Sequence, residues 1–272
     1  MGYRYIGSKA RIADEIIEYV KETATMESGG FFVDAFSGTG VVAEKAAQIG
    51  WPIHVNDMMT NAVIMSEARL LSSVDVPFDC LGGYEEVIKV LNGLSGEEGF
   101  IWREYSPASK RFQLNERRYF TEENAKKIDA ISAKNHHWKD EKTISHKEFV
   151  LLMSDLIQAV NNVANIAGTY GCFLSRWTTQ AKENLVLSTS PLKKAQAICF
   201  SLLLNVKKKK YIQKERSFIF VAGMRMTKRK FRDSLKIGGE NRRRRSFRNE
   251  QNIGTLLLKN TVFLCQRFRS VK

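Results

Sequence analysis

The sequence predicts an α/β protein, a parallel sheet flanked by helices, joined to a mostly helical region. Three observations carry that reading. Two short apolar runs, residues 31–36 and 52–57, each end in polar residues and bracket a stretch with helical periodicity. A glycine turn, Ser37-Gly38-Thr39-Gly40, connects the first run to that helix. Strand, glycine turn, helix and strand in this order make a βαβ unit, which calls for parallel pairing with a right-handed crossover.

Taken along the chain, residues 8–22 place Ile12, Ile16, Ile17 and Val20 on one helical stripe, with Ser8 as an N-cap. Residues 41–49 read as a helix closed by Gly50, and residues 58–71 as the helix after the second strand. From about residue 75 to 185 the pattern is mostly helical. Residues 84–91 are amphipathic, and Thr121 with Asn124 opens a helix that runs through Ile131. Residues 147–167 carry Phe149, Leu152, Met153, Leu156, Val160, Val163 and Ala167 near a 3.6-residue period. Between these helices, residues 93–120 combine glycines, aromatics and clustered Arg and Lys, which is loop chemistry.

The formal net charge is +14, and its distribution matters more than its sum. Residues 191–272 hold 23 Lys and Arg against 4 Asp and Glu, a net of +19, which leaves −5 for residues 1–190. The chain therefore falls into two regimes that meet near Pro191. Its 272 residues suffice for a sizeable core. Cys80, Cys172, Cys199 and Cys265 lie far apart, with no Cys-x-x-Cys pair and no zinc-finger spacing, so reduced thiols and no metal site are expected. Neither a signal peptide nor an apolar run long enough to span a bilayer is read, which predicts a soluble, cytoplasmic chain.

Asp34-Ala35-Phe36-Ser37-Gly38-Thr39-Gly40 is the strongest local signal. Glycines at a strand's end let the backbone turn sharply and approach a ligand, at the crevice where open α/β sheets bind cofactors. An ordinary strand-to-helix turn would look similar. Asp57 ends the next strand 17 residues after Gly40, near the spacing at which a carboxylate reaches ribose hydroxyls. A solvated turn aspartate is the plain alternative. Tyr3-Arg4-Tyr5-Ile6-Gly7-Ser8-Lys9 adds a lysine that can hold a ligand carboxylate or can simply be exposed.

In this order, the three segments resemble the Dam-like DNA adenine-N6 methyltransferases, in which a Y/W-x-G-x-K segment precedes the F-x-G-x-G strand. A fourth segment, residues 161–174 (NNVANIAGTYGCFL), is similar to the N-x-x-G-x-Y-G-x-F-L stretch that many such enzymes carry before their catalytic strand. The resemblance covers about 185 residues. It implies a Rossmann-like, S-adenosylmethionine (AdoMet)-dependent fold with a helical target-recognition insert. It assigns Tyr5 and Lys9 to the N-terminal cofactor motif, Phe36, Gly38 and Gly40 to the AdoMet loop, and Asp57 to the ribose. Double-stranded DNA is the implied substrate, with Tyr170 among its contacts; the basic loop residues Lys110, Arg111, Arg117 and Arg118 are expected to border the cleft, and a solvated charged surface is the plain alternative. A restriction endonuclease acting on the same site is the implied partner, and the enzyme is expected to be a monomer. The boundaries that follow are residues 1–70 for the cofactor part, 71–190 for target recognition and 191–272 for a basic tail.

The departure lies in that tail. These enzymes carry D-P-P-Y, or a close variant, on the strand after the recognition region, where it holds the adenine amino group. This chain has only Pro52, Pro77, Pro107 and Pro191, and no Pro-Pro pair, so no catalytic residue is assigned. After Pro191 come a Lys207–Lys210 run, an Arg242–Arg245 run and scattered apolar stretches without turn signals, so the sheet is expected to be incomplete and the tail poorly ordered. A sequence translated out of frame, a divergent DNA-binding extension and a tail of unknown role all fit. An impaired adenine-N6 methyltransferase is the leading reading. An inactive AdoMet- or DNA-binding remnant, or a methyltransferase for another substrate, competes with it.

Overall fold

The computed structural model describes residues 8–23, 31–168, 170–192, 199–201, 218–221 and 263–264. The chain divides into two compact units, Gly7–Leu70 with the strands after Ala197, and Leu71–Gln196.

The first unit is built on the predicted βαβ element. β1 (Phe31–Asp34) leads through the glycine turn into α2 (Val41–Gln48), and β2 (Ile53–Val55) leads into α3 (Thr60–Ala68). β1 and β2 pair in parallel, with Asp34 opposite Val55. Before them, α1 (Ala13–Thr23) buries Ile16, Ile17 and Val20, and Ile12 just ahead of it, as the stripe predicts. They pack with Phe32, Val42, Ala43, Ala46, Ile53 and Val55, each full burial of a large aliphatic contributing about 1.5–3 kcal/mol. Ser8 does not cap this helix. The Ile12 N–H donates to the Lys9 carbonyl at 2.9 Å in a preceding turn, so α1 starts only at Ala13 and Lys9 stands outside it.

Three further strands join this sheet from beyond Pro191, where the sequence shows no turn signals. β3 (Cys199–Ser201) pairs in parallel with β2, and β4 (Phe218–Val221) in parallel with β1, Val221 lying opposite Asp34. β5 (Phe263–Leu264) runs antiparallel to β4, giving the order β3-β2-β1-β4-β5. Strand pairing by this region is a feature that the sequence, read as an incomplete sheet with a basic tail, does not display. Two of the apolar stretches noted above supply β3 and β4, because a parallel sheet takes its strands from segments distant in sequence, and local turn chemistry does not mark them.

The second unit is helical: α4 (Tyr84–Gly93), α5 (Phe100–Tyr105), α6 (Glu122–Asp140) and α7 (His146–Val163). The Thr121 hydroxyl accepts the Asn124 N–H at 3.2 Å and opens α6, as predicted. Ser145 and Glu148 form a reciprocal capping box at the start of α7. The second carboxylate oxygen of Glu148 also accepts the Phe78 N–H at 2.5 Å. α5 and the 3-10 turn Pro107–Arg111 stand where only loop was expected. Asp129, on α6, accepts the Ile101 and Trp102 N–H groups at 2.9 and 2.8 Å, an N-terminal cap supplied from 28 residues away that no local pattern displays.

α7 stops at Val163, four residues short of the predicted Ala167, because Asn165 is claimed by other partners. Its side chain donates to the Arg118 and Leu174 carbonyls at 3.0 and 2.9 Å and accepts the Thr178 N–H at 3.1 Å. The chain then turns through a hairpin-like loop closed by the Ile166–Phe173 bridge. Residues 183–190 form an extended strap across the helices. Asn124 accepts the Leu185 N–H at 2.8 Å, and Asn92 brackets Leu187, accepting its N–H at 2.9 Å and donating to its carbonyl at 3.0 Å. The strap ends on a buried network: Ser190 and Tyr84 both donate to the carboxylate of Asp155 at 2.5 Å.

Candidate cofactor site and nucleic-acid interface

The glycine turn owes its shape to both of its glycines. Gly38 and Gly40 hold φ of +52° and +75°, in the left-handed region that glycine occupies at no steric cost. A Cβ on Gly40 would sit 2.6 Å from the Cα of Ser66 on α3, so the turn lies directly against that helix. The Ser37 hydroxyl bonds to the Ser66 hydroxyl at 3.0 Å. Arg69, just past α3, donates from Nε to the Thr39 carbonyl at 2.7 Å and pairs with Glu44 on α2 at 2.9 Å. The turn is therefore gripped from behind, by side chains of the next helix.

Asp57 closes the front. One carboxylate oxygen accepts the Gly38 N–H at 3.0 Å and the other accepts the Met59 N–H at 3.1 Å. Each oxygen keeps a lone pair for a further donor. Lys9 is largely buried, and burial pulls its ammonium below the ordinary lysine pKa, while the charges of Asp34 and Asp57 oppose that shift. Asp34, at the end of β1, is fully buried, and burial raises its carboxyl to about 7 against the opposing pull of Lys9 and of backbone N–H groups at Phe36 and Ala43. Lys9, the Gly38–Gly40 turn and Asp57 thus share one neighbourhood, with Asp34 beneath. Phe36, Met58 and Met59 border it with exposed apolar surface. Tyr5 lies outside the described residues.

In the helical unit the four basic candidates differ. Arg118 pairs with Glu116 at 2.5 Å and donates to the Ser175 carbonyl at 3.1 Å. Arg117 donates to the Glu104 carbonyl at 3.1 Å. Both bind the loop to its own unit. Lys110 and Arg111 are exposed, Arg111 lying over the Trp102 ring at 5.5 Å with a long 3.8 Å approach to Glu122. Tyr170, in the hairpin-like loop, stacks on Tyr119 at 6.5 Å and donates to Asn161 at 2.9 Å, leaving part of its ring open. Among the described residues no cluster of His, Cys, Asp and Glu could hold a metal, and no helix is long and apolar enough to cross a membrane.

The profile of the D12 class of N6 adenine-specific DNA methyltransferases matches residues 5–221, most of the chain and every part of the site just described. The chain belongs to this family. It is 35% identical over 191 residues to the Type II methyltransferase M.FokI of Planomicrobium okeanokoites, covering 68% of this chain and 29% of that protein. It is 31% identical over 189 residues to the modification methylase StsI of Streptococcus sanguinis, covering 68% and 28%. M.NlaIII of Neisseria lactamica, a Type II methyltransferase, is 28% identical over 190 residues, covering 67% and 52%. This D12-class chain therefore matches less than a third of the first two relatives' length. No solved structure matches it.

Two kinds of residue in this D12 chain escape a sequence reading. Asp34 stands inside the quoted motif, but its burial beside Lys9 shows only once the strand is folded. Arg69 and Ser66 grip the turn across 30 and 29 residues, and no spacing rule connects them to it. Asn165 is the asparagine of the N-x-x-G stretch, and what it holds is backbone of its own unit.

Proposed function

We propose that this chain is the cofactor-binding and target-recognising body of a site-specific DNA adenine-N6 methyltransferase of Rossmann-like architecture, using AdoMet, and that as written it transfers methyl groups slowly. The observation that carries the cofactor half is the 3.0 Å bond from the Gly38 N–H to Asp57, which joins the glycine turn to the carboxylate beside Lys9. AdoMet, when bound, supplies a methyl group made electrophilic by its sulfonium. The residues present fit such a ligand. Asp57 has acceptor capacity left for a ribose diol, and the glycine turn admits close approach. Lys9 is placed to hold a carboxylate, while Asp34 and Asp57 keep the site from being cationic overall, which suits a ligand of net positive charge. Phe36, Met58 and Met59 offer apolar faces to a base.

The catalytic half lacks its acceptor. β3 and β4 follow the recognition unit, and neither they nor the residues after Val221 carry an acid-Pro-Pro-aromatic run; the chain continues Ala222-Gly223-Met224-Arg225. Without a fixed acceptor the adenine amino group is not oriented for in-line attack, and positioning is worth a large share of such a barrier. DNA would bind through the exposed cations of the recognition unit, with the target base extruded.

Calorimetric titration of the chain with AdoMet tests the first half, and Asp57→Ala should weaken binding by about 1–3 kcal/mol. A folded chain that takes up no AdoMet would refute the cofactor assignment. Transfer of labelled methyl groups to unmethylated DNA, run beside a D12 relative that carries D-P-P-Y, tests the second. Turnover equal to the relative's would overturn the claim of slow transfer.

A further inference from the structure

In the helical unit, residues 109–117 form a loop with a closed neck. Ser109 is wholly buried, and it makes three of the bonds that shut the neck. Its hydroxyl accepts the Arg117 N–H at 2.8 Å, and its carbonyl accepts the Phe112 and Gln113 N–H groups at 3.0 and 2.8 Å. The Gln113 side chain donates to Glu104, and the Tyr105 carbonyl accepts the Tyr119 and Phe120 N–H groups at 3.1 and 3.2 Å just below. Phe112 leans edge-on against Trp102 at 6.0 Å while staying 55% exposed. Beyond it Leu114 is 100% exposed, standing clear of the rest of the protein. A single exposed leucine on a protein surface needs no explanation. Here the leucine crowns a loop held open by its own neck, and the exposed cations Lys110 and Arg111 stand four and three residues before it, at the loop's base.

We propose that Leu114 is an apolar wedge that enters a base step of duplex DNA while Lys110 and Arg111 hold the adjoining phosphates. This rests on the DNA-binding reading above and adds to it the residue that opens the stack. Charge selects the occupant, because residues 109–117 carry Lys110, Arg111 and Arg117 against Glu116 alone, a balance that suits a polyanion. The chemistry of the tip selects duplex DNA, since leucine and phenylalanine are side chains that unstack and kink a step when phosphate contacts supply the binding energy. The closed neck keeps the ordering cost low, because the loop already has its shape before DNA arrives. The wedge contributes no charge, so it releases no counterions. Its loss therefore changes affinity without changing salt dependence, the reverse of losing Lys110 or Arg111.

The test uses the full chain and two 30-base-pair duplexes of mixed sequence, one intact and one with a central mismatch that weakens a single step, titrated by fluorescence anisotropy at several salt concentrations. Wild type should prefer the mismatched duplex several-fold. Leu114→Ala should bind it about tenfold more weakly, the scale of one leucine's buried apolar surface, and should lose the preference with an unchanged salt slope. Lys110→Ala with Arg111→Ala should flatten the slope and keep the preference. Leu114 touches nothing in the fold, so its substitution leaves the protein folded, which circular dichroism verifies. A Leu114→Ala chain that keeps the preference overturns the wedge while leaving DNA binding intact. A change in self-association on light scattering with no change in DNA affinity makes the tip a contact between copies and equally overturns it. Wild-type chain that binds neither duplex refutes the DNA reading itself, and the wedge with it.

Discussion

Gly40 leaves no room for a side chain. An alanine there would need the left-handed backbone and would drive its Cβ to 2.6 Å from the Ser66 backbone, so strain and overlap act together. Gly40→Ala should lower the unfolding free energy by about 2 kcal/mol or more in a urea titration. Arg69 tests the grip from the other side. Arg69→Ala removes the bond to the Thr39 carbonyl and the ion pair to Glu44, which should raise the AdoMet dissociation constant about tenfold or more. Arg69→Lys can reach one of the two acceptors and should recover only part of the affinity, because an ammonium does not reproduce the planar fork. Equal binding by wild type and Arg69→Ala would show that the turn holds its shape unaided. At this scale the sequence displays what is local. Gly38, Gly40 and Asp57 stand out because a turn and a strand end demand particular residue types at short spacing. Arg69 does not, since an arginine after a helix has many possible partners.

Among the elements, those whose ends are set by neighbouring residues are legible in advance. α6 begins at Thr121 because its cap lies three residues from Asn124, and α2 follows directly on its own glycine turn. α5 was hidden because its cap, Asp129, belongs to another helix. β3 and β4 were hidden because a strand paired in parallel with a partner distant in sequence needs no turn signal of its own, and β5 because it is only two residues long. The strap over residues 183–190 shows how much one polar side chain can organise. Asn124 accepts from Leu185 and donates to Glu183 at 2.8 Å each. Replacing it by alanine leaves the buried Leu185 amide unpaired and frees the half-buried Glu183 carbonyl, so Asn124→Ala should cost about 1–3 kcal/mol. Hydrogen exchange should locate the effect, with the Leu185 and Leu187 amides losing protection before those of α7. Uniform loss across the unit would mean that the strap and the helices unfold together.

For the molecule as a whole, two buried carboxyls set the response to pH. Burial raises Asp155 to about 7 against the hydrogen bonds of Ser190 and Tyr84, and it raises Asp34 to about 7 against Lys9. Between the unfolded value of 3.8 and about 7, each folded carboxyl keeps a proton that the unfolded chain has released. Their stabilising share is complete below that window and is lost as pH climbs through it, by at most about 1.4 kcal/mol per pH unit for each group. Denaturation at pH 5 and at pH 8 should therefore show a smaller unfolding free energy at pH 8, and Asp155→Asn should narrow the gap. A gap that Asp155→Asn leaves unaltered would assign the dependence to Asp34 or to other groups. The order of strands in the sheet carries a different consequence, one of time. β1 and β2 are synthesised early, but their outer neighbours β4 and β3 lie beyond the helical unit. The roughly 140 residues from Val55 to Cys199 take about 7–30 s to emerge at ordinary translation rates. For that interval the nascent β1–β2 pair presents two unpaired strand edges to solvent, so the half-made chain is most exposed to aggregation and most in need of a chaperone while its helical unit is still on the ribosome.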